Sequence, residues 1–131
     1  MNSFELEVRA AGQTLQVPGV ISFVAEDASG SFGLQAGHAR FMTLLEFGLA
    51  RFRTTEADWQ YLALPGALLD FSGARLWIGA RRFLLDSDYA RISRLLREQL
   101  QAEEQALAET KTSLRRMEEA LLRRLWQLGQ G

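Results

Sequence analysis

The chain has 131 residues, a formal net charge of −1 and a hydrophobic fraction of 47%. This is enough apolar sequence for one core domain with an appendage, and the near-neutral charge argues against a nucleic-acid-binding protein. Cysteine is absent and His38 is the only histidine. These counts exclude disulfides, thiolate metal sites and the usual catalytic triad, so we expect neither catalytic residues nor a metal site.

The sequence shows no sign of membrane insertion. No apolar run approaches the roughly 20 residues that a membrane-spanning helix needs. The first ten residues alternate charged and apolar side chains and lack the apolar core of a signal peptide. We therefore expect a protein that is soluble, or that is held at a membrane only through its partners.

The part of the chain up to residue 85 is rich in the turn-forming residues that are typical of a β-domain. It contains both prolines and nine of the eleven glycines, the residues that mark turns. Pro18-Gly19 is expected to end a strand, and residues 26–33 read as a polar loop. Alternating or short apolar segments predict strands at residues 4–9, 14–17, 20–25, 41–45, 49–53, 59–64, 68–71 and 75–78.

Such closely spaced short strands predict an antiparallel β-sandwich of about 8–10 strands over residues 1–85. Residues 86–131 are helical in composition, since no glycine occurs before Gly129 and good helix formers dominate. Asp-Ser-Asp at 86–88 can cap a helix N-terminus. The fold class is therefore α+β, with a C-terminal helical arm. An α-helical hairpin is the alternative, with its turn at the Glu-Glu pair at 103–104.

Leucines recur along the arm at strict seven-residue spacing. They are Leu100, Leu107, Leu114, Leu121 and Leu128. A stable coiled coil needs a second apolar position in each heptad, and the positions three and four residues further on are apolar only at Met117 and Leu125. Because this stripe is narrow, we expect the arm to be marginal by itself and to pack against the sandwich or a partner.

Residues 30–43 carry the most specific motif. They read Gly-Ser-Phe-Gly-Leu-Gln-Ala-Gly-His-Ala-Arg-Phe-Met-Thr, which resembles the glycine-rich loop of the ATP synthase epsilon subunit, typically Gly-x-x-Gly-Ile-x-Pro-Gly-His-Ala. Ala36 stands where that family usually has proline. Residues 61–62 with 66–70 resemble its Tyr-Leu…Gly-Gly-Ile-Leu-Glu strand pair, and residues 86–91 resemble the entry into its arm. The chain is thus identified as a divergent epsilon subunit of a rotary F-type ATP synthase.

The resemblance implies a non-catalytic central-stalk (rotor) subunit that couples the gamma subunit to the c-ring. Such a subunit lies at the cytoplasmic face of the bacterial plasma membrane, as a peripheral part of the complex. For the loop, the resemblance implies contacts with gamma and the c-ring through Ser31, Phe32, Gly33, Gly37, His38 and Arg40. The alternative function is a β-sandwich adaptor, unrelated to ATP synthases, that homodimerises through its leucine-heptad arm.

The resemblance also implies a mobile arm that can extend along gamma towards the alpha and beta subunits and restrain ATP hydrolysis. The residues suited to acidic surfaces on the beta subunits are Arg115, Arg116, Arg123 and Arg124, for which a solvated helix face is the other explanation.

Some family members bind ATP at the folded arm through an Ile/Leu-Asp-x-x-Arg-Ala motif. This chain keeps Asp88 and Arg91 of that motif, whereas Ser87 and Ile92 depart from it. ATP binding by the arm is therefore an open alternative, and no other cofactor is expected.

Overall fold

The computed structural model describes residues 2–129, so the outer limits of both predicted domains lie outside the described residues. The strands are β1 Phe4–Ala10, β2 Gln13–Asp27, β3 Gly30–Leu34, β4 Phe41–Leu45, β5 Gly48–Thr54, β6 Gln60–Leu64, β7 Ala67–Ser72, β8 Arg75–Ala80 and β9 Leu84–Asp86, and the helix α1 is Tyr89–Gly129. A many-stranded β-sandwich followed by one helix confirms the predicted α+β fold.

The long strand β2 joins two layers of the sandwich. Its first part, residues 13–17, pairs with β1, and its second part, residues 20–27, pairs with β3 and β5. The first layer has the order β1-β8-β7-β4, and β5, β6 and β9 follow one another on the other side of β2 as the second layer, which β3 joins through β2. Pairing is antiparallel as predicted except between β1 and β8, which are parallel.

The prediction that Pro18-Gly19 ends a strand is wrong, because both residues lie within β2. The register between β1 and β2 shifts between the pair at Val17 and the pair at Val20. At such a bulge a proline forfeits no ladder hydrogen bond, and Gly19 supplies the required positive φ of 68°. The two predicted strands are one bent strand.

The prediction of a loop at residues 26–33 is also wrong in its extent. β2 continues to Asp27 and β3 starts at Gly30, so most of this polar stretch is a hairpin. The Asp27 carboxylate accepts hydrogen bonds from the backbone N–H of Ser29 at 2.9 Å and from the Thr43 hydroxyl at 2.8 Å. Hydrogen bonds from the Ser29 and Thr43 hydroxyls hold the pKa of Asp27 below its ordinary value.

The core of the sandwich is made by inward-facing residues of both layers. Its largest fully buried side chains are Phe23, Phe52 and Phe71, one from each of β2, β5 and β7. Phe71 makes an edge-to-face contact with Phe4, at 5.2 Å between ring centroids. This packing fixes the direction of the intervening side chains, which point outward from the layers because successive residues of a strand alternate.

The arm is a single helix of 41 residues, and the turn expected at residues 103–104 is absent. Glutamate is a good helix former, so a pair of glutamates interrupts the apolar stripe without interrupting the backbone. Of the three predicted capping residues, Asp88 acts as the N-cap. Its carboxylate accepts the N–H of Arg91 at 3.2 Å and its carbonyl accepts the N–H of Ile92 at 3.1 Å.

Internal contacts divide the chain into two compact units, one ending at Leu96 and the other beginning at Arg97. The first therefore contains the sandwich and the first turns of α1, and the second contains the rest of α1. The predicted division at residues 85 and 86 follows composition and stays a prediction. Among the described residues, no helix combines the length and the apolar character that crossing a membrane demands.

Candidate functional site

The predicted contact residues of the sandwich lie on β3 and in the loop that joins β3 to β4. This loop contains Gly37, His38 and Arg40. It reverses the chain at Gly37, which has a φ of 84°, a conformation that a residue with a side chain adopts only under strain. The N–H of His38 donates to the carbonyl of Gln35 at 3.2 Å and closes the turn. Gly37 is therefore needed for the shape of the loop, whatever the loop contacts.

His38 lies next to two phenylalanine rings, Phe41 and Phe71. Its Nδ1 is 2.7 Å from the carbonyl oxygen of Ala39, a hydrogen bond in which Nδ1 must carry the proton. The imidazole ring packs edge-on against Phe41 and Phe71, at 5.9 and 6.0 Å between centroids. These contacts orient the imidazole ring towards Phe41 and Phe71, although His38 itself is exposed.

The other predicted contact residues are Arg40, in the loop, and Ser31, Phe32 and Gly33, on β3. The ring of Phe32 lies 5.1 Å from that of Phe41, and Arg40 Nε lies 4.0 Å from Asp70 Oδ1, too far for a hydrogen bond. Phe32, His38 and Arg40 therefore gather around β4 and β7. Ser31 and Gly33 flank Phe32 on β3, where all three pair with β2, and both are exposed.

An apolar surface, which we call the first-layer face, adjoins this loop on the outer side of β4 and β7. Leu44 pairs with Leu68, and Met42 pairs with Asp70. Leu44 is 70% exposed, Met42 55% and Leu68 39%. Exposed apolar side chains that cluster in this way mark interaction surfaces. The first-layer face thus has the character of a protein-docking site.

Asp70 and β8 complete the first-layer face. Asp70 Oδ1 is enclosed, yet it accepts no hydrogen bond within the described part of the chain. Its neighbour on β8 is Trp77, whose ring lies over Gly79, since a Cβ placed on Gly79 would come within 2.5 Å of that ring. Asp70 is therefore covered by its own chain at Oδ1, and the apolar side chains around it are the accessible part of the first-layer face.

Sequence reasoning missed the first-layer face. Its signal is the run Phe41-Met42-Thr43-Leu44-Leu45, in which apolar residues occupy both alternating positions of a strand. A strand with one wet face alternates apolar and polar residues, whereas a strand covered on both faces is apolar throughout. The departure from alternation in β4 therefore indicates a second apolar face.

The residues of the predicted nucleotide motif are already engaged in bonds within the chain. Arg91 Nε and Nη2 each lie 2.6 Å from a different carboxylate oxygen of Asp86, a bidentate pair. The hydrogen bond from Arg91 lowers the pKa of Asp86 to about 2, and Asp86 in turn raises the pKa of Arg91. Since Asp88 is the N-cap, ATP binding at Asp88 and Arg91 stays a prediction that requires Arg91 to leave Asp86.

The predicted arm contacts belong to the second unit. All four predicted arginines are exposed on α1: Arg115, Arg116, Arg123 and Arg124. Arg116 and Arg123 share a side because seven residues make nearly two helical turns.

Over residues 2–129 no group of three or more histidine, aspartate or glutamate side chains is placed to hold a metal ion.

Comparison with known families identifies the class of protein. Residues 3–85 match the model of the family described as ATP synthase, Delta/Epsilon chain, beta-sandwich domain. The chain belongs to this family of ATP synthase delta and epsilon chains, and the prediction of an epsilon-type subunit of an F-type ATP synthase is confirmed. The alternative of an adaptor unrelated to ATP synthases finds no support.

Two relatives make the particular likeness clear. The chain is 40% identical over 93 residues to ATP synthase epsilon chain 2 of Cereibacter sphaeroides, covering 70% of this chain and 64% of that one. It is 36% identical over 72 residues to ATP synthase epsilon chain 2 of Paraburkholderia xenovorans, covering 54% of this chain and 52% of that one. The chain thus spans less than two thirds of the length of these relatives.

Solved structures share the fold at low sequence identity. A chain of the mitochondrial ATP synthase of Euglena gracilis superposes with a TM-score of 0.59 at 16% identity, covering 73% of this chain and 62% of that one. A chain from the central stalk and c-ring of the Tetrahymena thermophila mitochondrial enzyme superposes with a TM-score of 0.54 at 12% identity, covering 63% and 66%.

Proposed function

We propose that this chain is the central-stalk subunit of a rotary F-type ATP synthase, a non-catalytic rotor component that couples the gamma subunit to the c-ring. The observation that carries the proposal is the first-layer face beside the loop of the epsilon-type motif, in a chain of this family. The structural neighbour from Tetrahymena thermophila belongs to a central stalk and c-ring assembly. In this role the chain is peripheral, at the cytoplasmic face of the bacterial plasma membrane.

We assign the docking of gamma to the first-layer face. Burying a side chain such as Met42 or Leu44 contributes about 1.5–3 kcal/mol. The loop at its edge supplies contacts with gamma and the c-ring, through Ser31, Phe32, Gly33, Gly37, His38 and Arg40.

The test is co-purification of the full chain with the gamma and c subunits of its own complex. The double variant Met42→Asp with Leu44→Asp should weaken binding of gamma about 100-fold, because two apolar contacts are replaced by buried charges. The control is Leu84→Asp on β9 of the second layer, whose native side chain is 44% exposed and which should leave gamma binding unchanged. Wild-type protein that stays monomeric beside gamma at micromolar concentration would refute the proposal, as would undiminished binding by the double variant.

We further propose that the arm restrains ATP hydrolysis through its arginines. Exposed guanidinium groups suit bidentate contacts with carboxylates of the beta subunits. Changing Arg115, Arg116, Arg123 and Arg124 together to glutamine keeps good helix formers in place and should raise ATP hydrolysis by the assembled complex. If these arginines are only a solvated helix face, hydrolysis will be unchanged, and this part of the proposal fails without affecting the gamma interface.

A further inference from the structure

The outer side of the second layer carries a surface unlike the first-layer face. Arg51 and Arg53 point outward from β5, since the residues between and beside them, Ala50 and Phe52, are buried. Both guanidinium groups lie over the ring of Trp59, with their Cζ atoms 4.6 and 5.3 Å from its centroid. We call this cluster, with Tyr61, the cationic-aromatic surface.

Tyrosine continues the cationic-aromatic surface across β6 to the start of α1. Tyr61 pairs with Arg51 on the neighbouring strand and therefore faces the same side. Its ring contacts that of Tyr89, with 5.2 Å between centroids, and Tyr89 is 59% exposed. Trp, Tyr and Arg are the residues that dominate the binding energy of protein interfaces. The composition is that of a binding surface for a protein segment.

The electrostatics of the cationic-aromatic surface define the partner. Among the ion pairs formed within residues 2–129, none engages Arg51 or Arg53. On the outward side of β5, β6 and β9 the acidic residue is Asp86, which pairs with Tyr61 across the strands and is bound bidentately by Arg91. Carboxylates also occur at Glu26, on the outward side of β2, and at Glu56 and Asp58, in the loop that leads to Trp59, but none of them forms an ion pair with either arginine. Both positive charges thus lie on an aromatic platform without an ion-pair partner within residues 2–129.

We propose that the cationic-aromatic surface binds an acidic segment of a partner protein, with carboxylates on Arg51 and Arg53 and an apolar side chain on Tyr61 and Tyr89. A carboxylate is the matching group because a guanidinium fork can donate two parallel hydrogen bonds to its two oxygens. The aromatic rings require a segment with apolar residues between its acids, which a free anion lacks. This surface does not depend on the first-layer face or on binding of gamma.

The test titrates the full-length chain, followed by the indole N–H signal of Trp59 in NMR spectra. The probes are a six-residue peptide of four glutamates and two leucines, its counterpart with glutamines in place of the glutamates, and inorganic phosphate. The glutamate peptide should shift the Trp59 signal and bind at least about tenfold more tightly than either other probe. Arg51→Gln with Arg53→Gln should abolish this binding.

The matched control is Arg9→Gln with Arg75→Gln, which removes two charges from β1 and β8 of the first layer and should leave the peptide affinity unchanged. Equal loss in both double variants would mean diffuse attraction only and would overturn the proposal. Phosphate binding as tight as that of the peptide would make this a small-anion site, which also overturns it, as would the absence of any binding. Self-association of the wild-type chain that disappears in the Arg51/Arg53 double variant would assign the surface to a second copy instead.

Discussion

The sandwich and the arm place similar leucines in opposite surroundings. In the sandwich, Leu6, Leu62, Leu69 and Leu76 are fully buried, whereas in the arm the leucines from Leu100 to Leu128 are between 37% and 73% exposed. The sole buried residue of α1 is Ile92, close to its start. The sandwich therefore owes its stability to its own core, while the arm depends on local helix propensity and leaves its apolar side chains available for burial elsewhere.

The largest expected effect tests this contrast directly. Phe71→Ala removes a fully buried ring at the centre of the sandwich and should lower the free energy of unfolding by about 3–5 kcal/mol. Leu114→Ala, in the arm, should change it by no more than about 0.5 kcal/mol, because the side chain is 59% exposed. Urea denaturation of the full chain, followed by tryptophan fluorescence, measures both. Comparable losses in the two variants would break the distinction between sandwich and arm.

The contrast also explains which parts of the fold the sequence predicts. Alternation identified β1, because the buried residues Phe4, Leu6 and Val8 alternate with charged residues. Alternation failed at Pro18-Gly19 because a bulge accommodates both residues within one bent strand. It failed at residues 26–33 because the hairpin turn from Asp27 to Gly30 is built from polar residues. Strand β9 was missed because three residues are too few to show a period.

The sequence predicted the loop of the candidate site better than the surface beside it. The positive φ of Gly37 and the turn at His38 follow from a local motif. The first-layer face reaches its full extent only when β4 pairs with β7, which is distant in the chain. The cationic-aromatic surface depends on strand register and on the position of Trp59, which a local motif does not reveal. In the arm, local composition predicted the helix correctly. It did not predict that the helix continues past residues 103–104, which follows from the absence of glycine and proline there.

A smaller effect locates the start of the arm. Asp88→Ala removes the N-cap and should lower the stability of the first turn of α1 by about 1 kcal/mol. Hydrogen exchange of the Arg91 and Ile92 amides measures this change. The control is Thr112→Ala, in mid-helix, where the hydroxyl donates to the Ala108 carbonyl at 3.0 Å; alanine is the better helix former there. Unchanged exchange at Arg91 and Ile92 in the Asp88 variant would show that the first turn is held by packing rather than by its cap.

The smallest effect concerns the ion pair between β9 and α1. Arg91 holds the pKa of Asp86 at about 2, so the carboxylate favours the folded state. Its contribution is complete above the pKa of the unfolded chain, roughly 3.9, and is lost as the pH falls towards 2. Carbon-detected NMR titration of Asp86 should show this low pKa in the wild type and a return towards the ordinary value in Arg91→Gln.

The control for this titration is Arg94→Gln, which removes the same charge one turn further along α1 and should leave the pKa of Asp86 low. If both variants raise that pKa equally, the cause is the general charge of the helix start and not the bidentate pair. If Arg91→Gln alone raises it, the Asp86–Arg91 pair ties the last strand of the sandwich to the first turn of the helix. The same result means that any nucleotide recruiting Arg91 must first compete with Asp86 for it.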